Sequence, residues 1–113
     1  MRIEYTRFIR AMSNDPIFRK DNPEEFTPHV REVFAEIRRR GEDPLEAMEK
    51  AYDFVDQQVR ARQKHAVDED AVLKKGNPKK VGTFTWWVYL RVMTRKIVGK
   101  LADEKLSGAL QIN

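Results

Sequence analysis

The sequence predicts an all-α fold, a single compact bundle of four to six helices with a central, apolar C-terminal helix. Three observations predict it. Apolar residues recur at three- and four-residue spacings along the chain. Capping residues followed by proline punctuate it at intervals that suit helix starts. No alternating apolar run bounded by turn residues argues for a strand.

The elements follow in order. Tyr5, Phe8, Ile9 and Met12 lie at i, i+3, i+4 and i+7, which gives a short first helix with one apolar face. Asp15-Pro16, Asn22-Pro23 and Thr27-Pro28 predict starts near residues 16, 23 and 28, because proline is preset for the first helical turn and the residue before it can cap. Val30, Val33, Phe34 and Ile37 then repeat the helical spacing. Arg38-Arg39-Arg40 suits the negative end of that helix, and Gly41 suits the left-handed residue beyond it. Asp43-Pro44-Leu45-Glu46 is the clearest start, with Asp43 as cap and Glu46 placed for a capping box. Leu45, Met48, Tyr52, Val55 and Val59 form a narrow apolar seam on a long helix running to about His65. Asp68 is placed to cap a further turn through Val72 and Leu73. Asp68-Glu69-Asp70 reads as a solvated cap, because it lacks the alternating ligands and turn glycine of a calcium loop.

Lys74-Lys75-Gly76-Asn77-Pro78-Lys79-Lys80 reads as a loop carrying four lysines. The last helix is expected from Thr83 to about Lys105. Its first half is apolar nearly all round, from Phe84 to Met93, which places it among neighbours on several sides. Its second half sets Ile97, Val98 and Leu101 against Arg95, Lys96 and Lys100. Gly99 inside it suggests close packing or a kink. Ala109-Leu110-Gln111-Ile112 forms an apolar tail able to dock on the body or on a second copy.

Length and composition bound the function. The 113 residues favour one domain over 1–113. There are no cysteines, which excludes disulfides and thiolate chemistry and fits a cytoplasmic protein. The N-terminus is polar from its second residue, so no signal peptide is expected, and no run approaches the ~20 apolar residues of a membrane span. Residues 1–70 carry 13 basic and 16 acidic side chains, a net of −3, whereas residues 71–113 carry 9 and 2, a net of +7. A basic C-terminal third on an acidic remainder suits an anionic partner, or two halves that attract each other.

Catalytic chemistry is not expected. His29 and His65 fall in different segments, Ser13 and Ser107 sit in no nucleophile motif, and no glycine-rich phosphate loop is present. No cofactor and no metal are predicted, since a metal site wants several close ligands. Three features could bind. Lys74, Lys75, Lys79 and Lys80 can neutralise phosphates, or keep a loop soluble. Trp86 and Trp87 point about 100° apart on a helix, so one could stack on a base while the other is core, or both could be core. Arg91 and Arg95 share a face, as do Lys96 and Lys100, and such a row can follow a phosphate backbone or pair with the acidic first half.

Gly82-Thr83-Phe84-Thr85-Trp86-Trp87-Val88-Tyr89, with Thr94-Arg95 after it, resembles the second conserved region of bacterial sigma factors. The resemblance implies contact of the 44–65 helix with RNA polymerase and DNA contact by the 83–100 helix. Trp86 and Trp87 would lie near unpaired bases, and Arg91 and Arg95 near phosphates. The acidic helix here reads Glu46-Ala47-Met48-Glu49-Lys50, without the family's Asp-Leu-x-Gln-Glu core, and the spacer to Gly82 is longer.

The sequence thus predicts a non-enzymatic protein of nucleic acid or of the transcription machinery, contacting phosphates through residues 74–80 and 83–105. The alternative is a protein-binding adaptor or inhibitor, phage-encoded, or a self-assembling unit. It would work through Leu45, Met48, Tyr52, Val55 and Val59. Exposure of an indole beside Arg91 or the lysines favours the first class. Sealed indoles and internally paired arginines favour the second.

Overall fold

A computed structural model describes Ile9, residues 28–63 and residues 66–106. Among them are four helices: α1 (Pro28–Arg39), α2 (Pro44–Arg62), α3 (Glu69–Lys75) and α4 (Phe84–Leu106). The described residues contain no strand. The starts expected near residues 16 and 23, the rest of the Tyr5–Met12 helix, His65 and the 109–112 tail lie outside the described residues. Ile9 itself is helical and fully buried.

Local chemistry sets the boundaries. α1 ends where Gly41 takes φ 81°, which lets the Glu42 N–H reach the Ile37 carbonyl and the Gly41 N–H reach that of Arg38. This paired return satisfies carbonyls that a helix end leaves open, and only glycine takes that backbone without strain. α2 starts three residues after Gly41. The Asp43 carboxylate accepts the Glu46 N–H at 3.2 Å, and Pro44 occupies the first turn. The Asp68 carboxylate caps α3 through the Ala71 N–H at 3.3 Å. α4 begins after Thr83, whose hydroxyl donates to the Lys80 carbonyl and accepts from the Trp86 N–H.

Val30, Val33, Phe34 and Ile37 of α1 are buried. α2 buries Met48, Val55 and Val59 as the seam requires, together with Ala47 and Ala51. Leu45 and Tyr52 are only half-buried. Met48 and Val55 belong to the core cluster, and Val59 is buried beside it. Among the described helices the contact of α2 with α4 is the most extensive.

α4 is the centre, as expected. It buries Trp86, Val88, Tyr89, Leu90, Val92, Met93, Thr94, Ile97 and Leu101, and of these Trp86, Tyr89, Leu90, Met93, Ile97 and Leu101 join residues of α1, α2 and Ile9 in one cluster. Thr94 is the one polar side chain buried among the described residues, and its hydroxyl donates to the Leu90 carbonyl at 2.6 Å. α3 buries nothing fully, and Val72 and Leu73 only lean on the core. The radius of gyration, 14.0 Å, is close to the ~13 Å expected of a compact domain this size.

Gly99 departs from the expectation of close packing. It is exposed, and an added Cβ would meet nothing within 4 Å. Gly99→Ala is therefore expected to stabilise the protein by about 0.5–1 kcal/mol, because alanine loses less backbone entropy in a helix. A denaturation midpoint unchanged or lowered by the substitution would count against this.

Candidate functional site

The basic residues divide into two groups that the structure treats differently. Lys74 and Lys75 belong to the last turn of α3, not to a loop as the glycine and proline beyond them suggested. A helix needs its breaker only at its end, and Gly76, with φ 79° and ψ −165°, supplies it. The connection to α4 is then residues 76–83, carrying Lys79 and Lys80. All four lysines are exposed, and none has an ion-pair partner among the described residues. Val81 beside them is 53% exposed. No acidic residue occurs between 71 and 83, so this corner is locally cationic.

Arg91 and Arg95 belong to the second group. The Glu69 carboxylate accepts from both terminal nitrogens of Arg95, at 3.0 and 3.2 Å, and from Nη2 of Arg91 at 3.1 Å. Asp56 accepts from Nη1 of Arg91 at 3.2 Å and from Nε of Arg60 at 2.8 Å. The result is an alternating chain, Arg60–Asp56–Arg91–Glu69–Arg95, tying α2, α3 and α4 together. Burial pushes the Asp56 carboxyl up, but the guanidiniums of Arg60 and Arg91 outweigh it and hold the group below its ordinary value. Arg95 holds Glu69 below its ordinary value, with Arg91 assisting against partial burial. Glu69 in turn raises Arg95, which keeps its charge at any accessible pH. The solvated acidic cap of the sequence is thereby corrected: Asp68 caps, but Glu69 turns inward as an arginine clamp. Spacing could not reveal this, because the partners lie 22 and 26 residues away.

The indoles also face inward. Trp86 is 5% exposed. Trp87 is half-buried, edge-on to Trp86 at 4.8 Å between centroids and to Phe54 at 6.0 Å. The Arg62 guanidinium covers the Trp87 ring at 5.3 Å, an attraction between residues too far apart in the chain for helical spacing to indicate. Arg62 is itself fixed by hydrogen bonds to the Gln58 carbonyl and side chain. Among the described residues two buried donors lack an acceptor, Trp87 Nε1 and Arg91 Nε, a lack that costs about 1–3 kcal/mol each.

Lys96 and Lys100 are half-buried. At ~1.5 Å per residue they stand roughly 18 and 24 Å along α4 from Phe84, well away from the lysine corner. The lysine corner is thus separate from the later lysines of α4. The lysine corner, the arginine–carboxylate chain and the later lysines are three separate features. Among the described residues no group of three or more His, Cys, Asp or Glu side chains could hold a metal, and no helix is long and apolar enough to cross a membrane.

Comparison of the chain with protein-family models, with curated proteins and with solved structures found no match.

Proposed function

We propose that this chain is a non-enzymatic binding protein that holds a nucleic-acid phosphate backbone on the corner formed by Lys74, Lys75, Lys79 and Lys80. The observation that carries the reading is the contrast in charge pairing. These four ammonium groups are exposed and unpaired among the described residues, whereas Arg91 and Arg95 are occupied by Glu69 and Asp56. Cations without an internal carboxylate are free to displace counterions from phosphates, and that release supplies affinity with little sequence preference. Lysine suits the task as a point charge on a flexible stem. The inward indoles and the paired arginines weigh toward a protein partner, and the four unpaired lysines alone carry the phosphate reading. A cytoplasmic setting accords with this reading and with the absence of cysteine.

The test is fluorescence anisotropy with short single- and double-stranded DNA and RNA at two salt concentrations. Four phosphate contacts predict a log–log salt slope of about −3 to −4 on duplex DNA. Replacing all four lysines by glutamine is expected to abolish low-salt binding, while Arg95→Gln leaves it nearly intact. No binding at low salt, or binding indifferent to salt, overturns the reading.

A second reading, self-association or a protein partner, is favoured by Leu106, which is 87% exposed at the end of α4. The sequence beyond it continues into the apolar Ala109-Leu110-Gln111-Ile112. Light scattering of the full chain distinguishes the two, since Leu106→Asp would dissociate an assembly built there and leave phosphate binding unaltered.

A further inference from the structure

α3 differs from the other helices in how it is held. It has seven residues, and helices shorter than roughly 12–15 residues are marginal in water on their own. Its helical form therefore depends on docking. Yet α3 buries no residue fully, and its larger apolar side chains, Val72 and Leu73, only lean on the core. Between Glu69, α2 and the first half of α4 lies a cleft of about 400 Å3, lined also by Tyr52, Val59 and Phe84. Side chains thus do not fill the angle where α3 meets the body as they fill a close-packed interior.

What fixes α3 is Glu69. Among the described residues, every polar tie from an α3 side chain to another helix runs from this carboxylate, to Arg91 and Arg95 of α4. The ends of α3 close on local bonds instead. Asp68 caps the first turn, and the Gly76 N–H reaches the Leu73 carbonyl. Gly76 then turns the chain at φ 79° and ψ −165°, a conformation essentially confined to glycine. Opening α3 breaks one clamp and exposes little apolar surface. Segments with so few buried contacts open at free energies well below that of global unfolding.

We propose that α3 is a latch: it undocks and unwinds as a unit while α2 and α4 stay folded, and a phosphate backbone on the lysine corner holds it shut. The first part stands on the packing alone, and the second rests on the corner being a phosphate site. Docked, α3 holds Lys74 and Lys75 at a fixed helix end, three residues before Lys79 and Lys80. It also keeps Glu69 on its two arginines. Undocked, the same stretch is a flexible chain with an uncompensated carboxylate close to the lysines. A polyanion would then have to order that chain and overcome that charge. A ligand that binds the docked form better shifts the population toward it.

Native-state hydrogen exchange of the full chain, 15N-labelled, tests both parts. In the free chain the amides of Val72 to Gly76, corrected for intrinsic rates, are expected to exchange faster than those of Leu90, Met93 and Ile97 by about tenfold or more. Their rates should be indifferent to low urea, because local opening exposes little surface, whereas the α4 amides should respond. Glu69→Ala is expected to speed the α3 amides by about tenfold, as for the loss of one charge-assisted contact. Duplex DNA at low salt, well above its Kd, is expected to slow the α3 amides of the unmodified chain by about tenfold or more. It should not slow them after replacement of the four lysines by glutamine, although α3 still opens in that variant. Affinity is the poorer readout, since loosening α3 barely changes Kd while the docked form predominates. Amides of α3 that exchange at the rates and with the urea dependence of α4 overturn the latch, and that outcome needs no variant to fold. Binding seen by anisotropy without slowing of the α3 amides overturns the coupling. Absence of binding overturns the phosphate corner and the coupling with it, and the free chain still decides whether α3 opens.

Discussion

Trp86→Ala is expected to lower the unfolding free energy by about 3–5 kcal/mol, the cost of emptying a large aromatic site in a core that cannot collapse around the gap. Trp86 is only 5% exposed and belongs to the cluster shared by α1, α2 and α4. Its ring also meets Trp87 edge-on at 4.8 Å, so the substitution loses an aromatic contact worth roughly 0.5–1.5 kcal/mol beyond burial. Domains of this size are stable by about 5–15 kcal/mol, so the variant keeps only part of its margin. Urea unfolding at unchanged slope measures the effect. The outcome separates two roles for the indole. A residue kept for stacking on bases would leave stability nearly intact and abolish binding. A core residue does the reverse at concentrations where the fold survives. A loss below about 1 kcal/mol would show that Trp86 does not serve the core in the way its burial indicates.

The second large effect is expected from Arg91→Ala. Its side chain is 16% exposed and stands between Asp56, 19% exposed, and Glu69, 29% exposed. Removing it leaves two carboxylates facing each other with one cation fewer. Breaking a fully buried pair costs about 3–5 kcal/mol, and the partial access of water here reduces the expectation to about 2–3 kcal/mol. The pH dependence gives the finer test. Asp56 and Glu69 are both held below their ordinary values, so each stabilises the fold fully above its unfolded value, ~3.9 and ~4.3. That stability is lost as pH falls through the lowered folded values. The wild-type protein should therefore lose stability on acidification below about pH 4.5, and the variant should lose less over the same range. It does not lose the dependence altogether, because Arg60 still serves Asp56 and Arg95 still serves Glu69. Unfolding midpoints at pH 7, 5 and 3 measure it. A gap between the two proteins that stays constant down to pH 3 would mean that Arg91 acts by packing alone.

Both substitutions concern side chains that helical spacing left with two roles each. Trp86 could have been a stacking platform, and Arg91 a phosphate contact. Helical spacing says which side chains share a face. It does not say what that face meets. Arg91 meets Asp56 on α2 and Glu69 on α3, 35 and 22 residues away, because both of those helices pack against α4. The lysines, by contrast, were legible. A stretch without any carboxylate, interrupted by glycine and proline, has no internal partner nearby and stays in water. Only their division between the end of α3 and the following loop was missed.

The sequence by itself determined the helices that the structure describes, their starts and the identity of the central one. The reason is that caps, prolines and apolar periodicity act within a few residues, and Asp43, Pro44, Gly41 and Asp68 do what their local chemistry requires. Only the tertiary structure decided which charges are paired. Ion pairing and burial depend on how helices cross, and that placed Glu69 between two arginines and turned Met48 and Val55 of the α2 seam inward. It also left Gly99 in open solvent, where no packing constraint explains it.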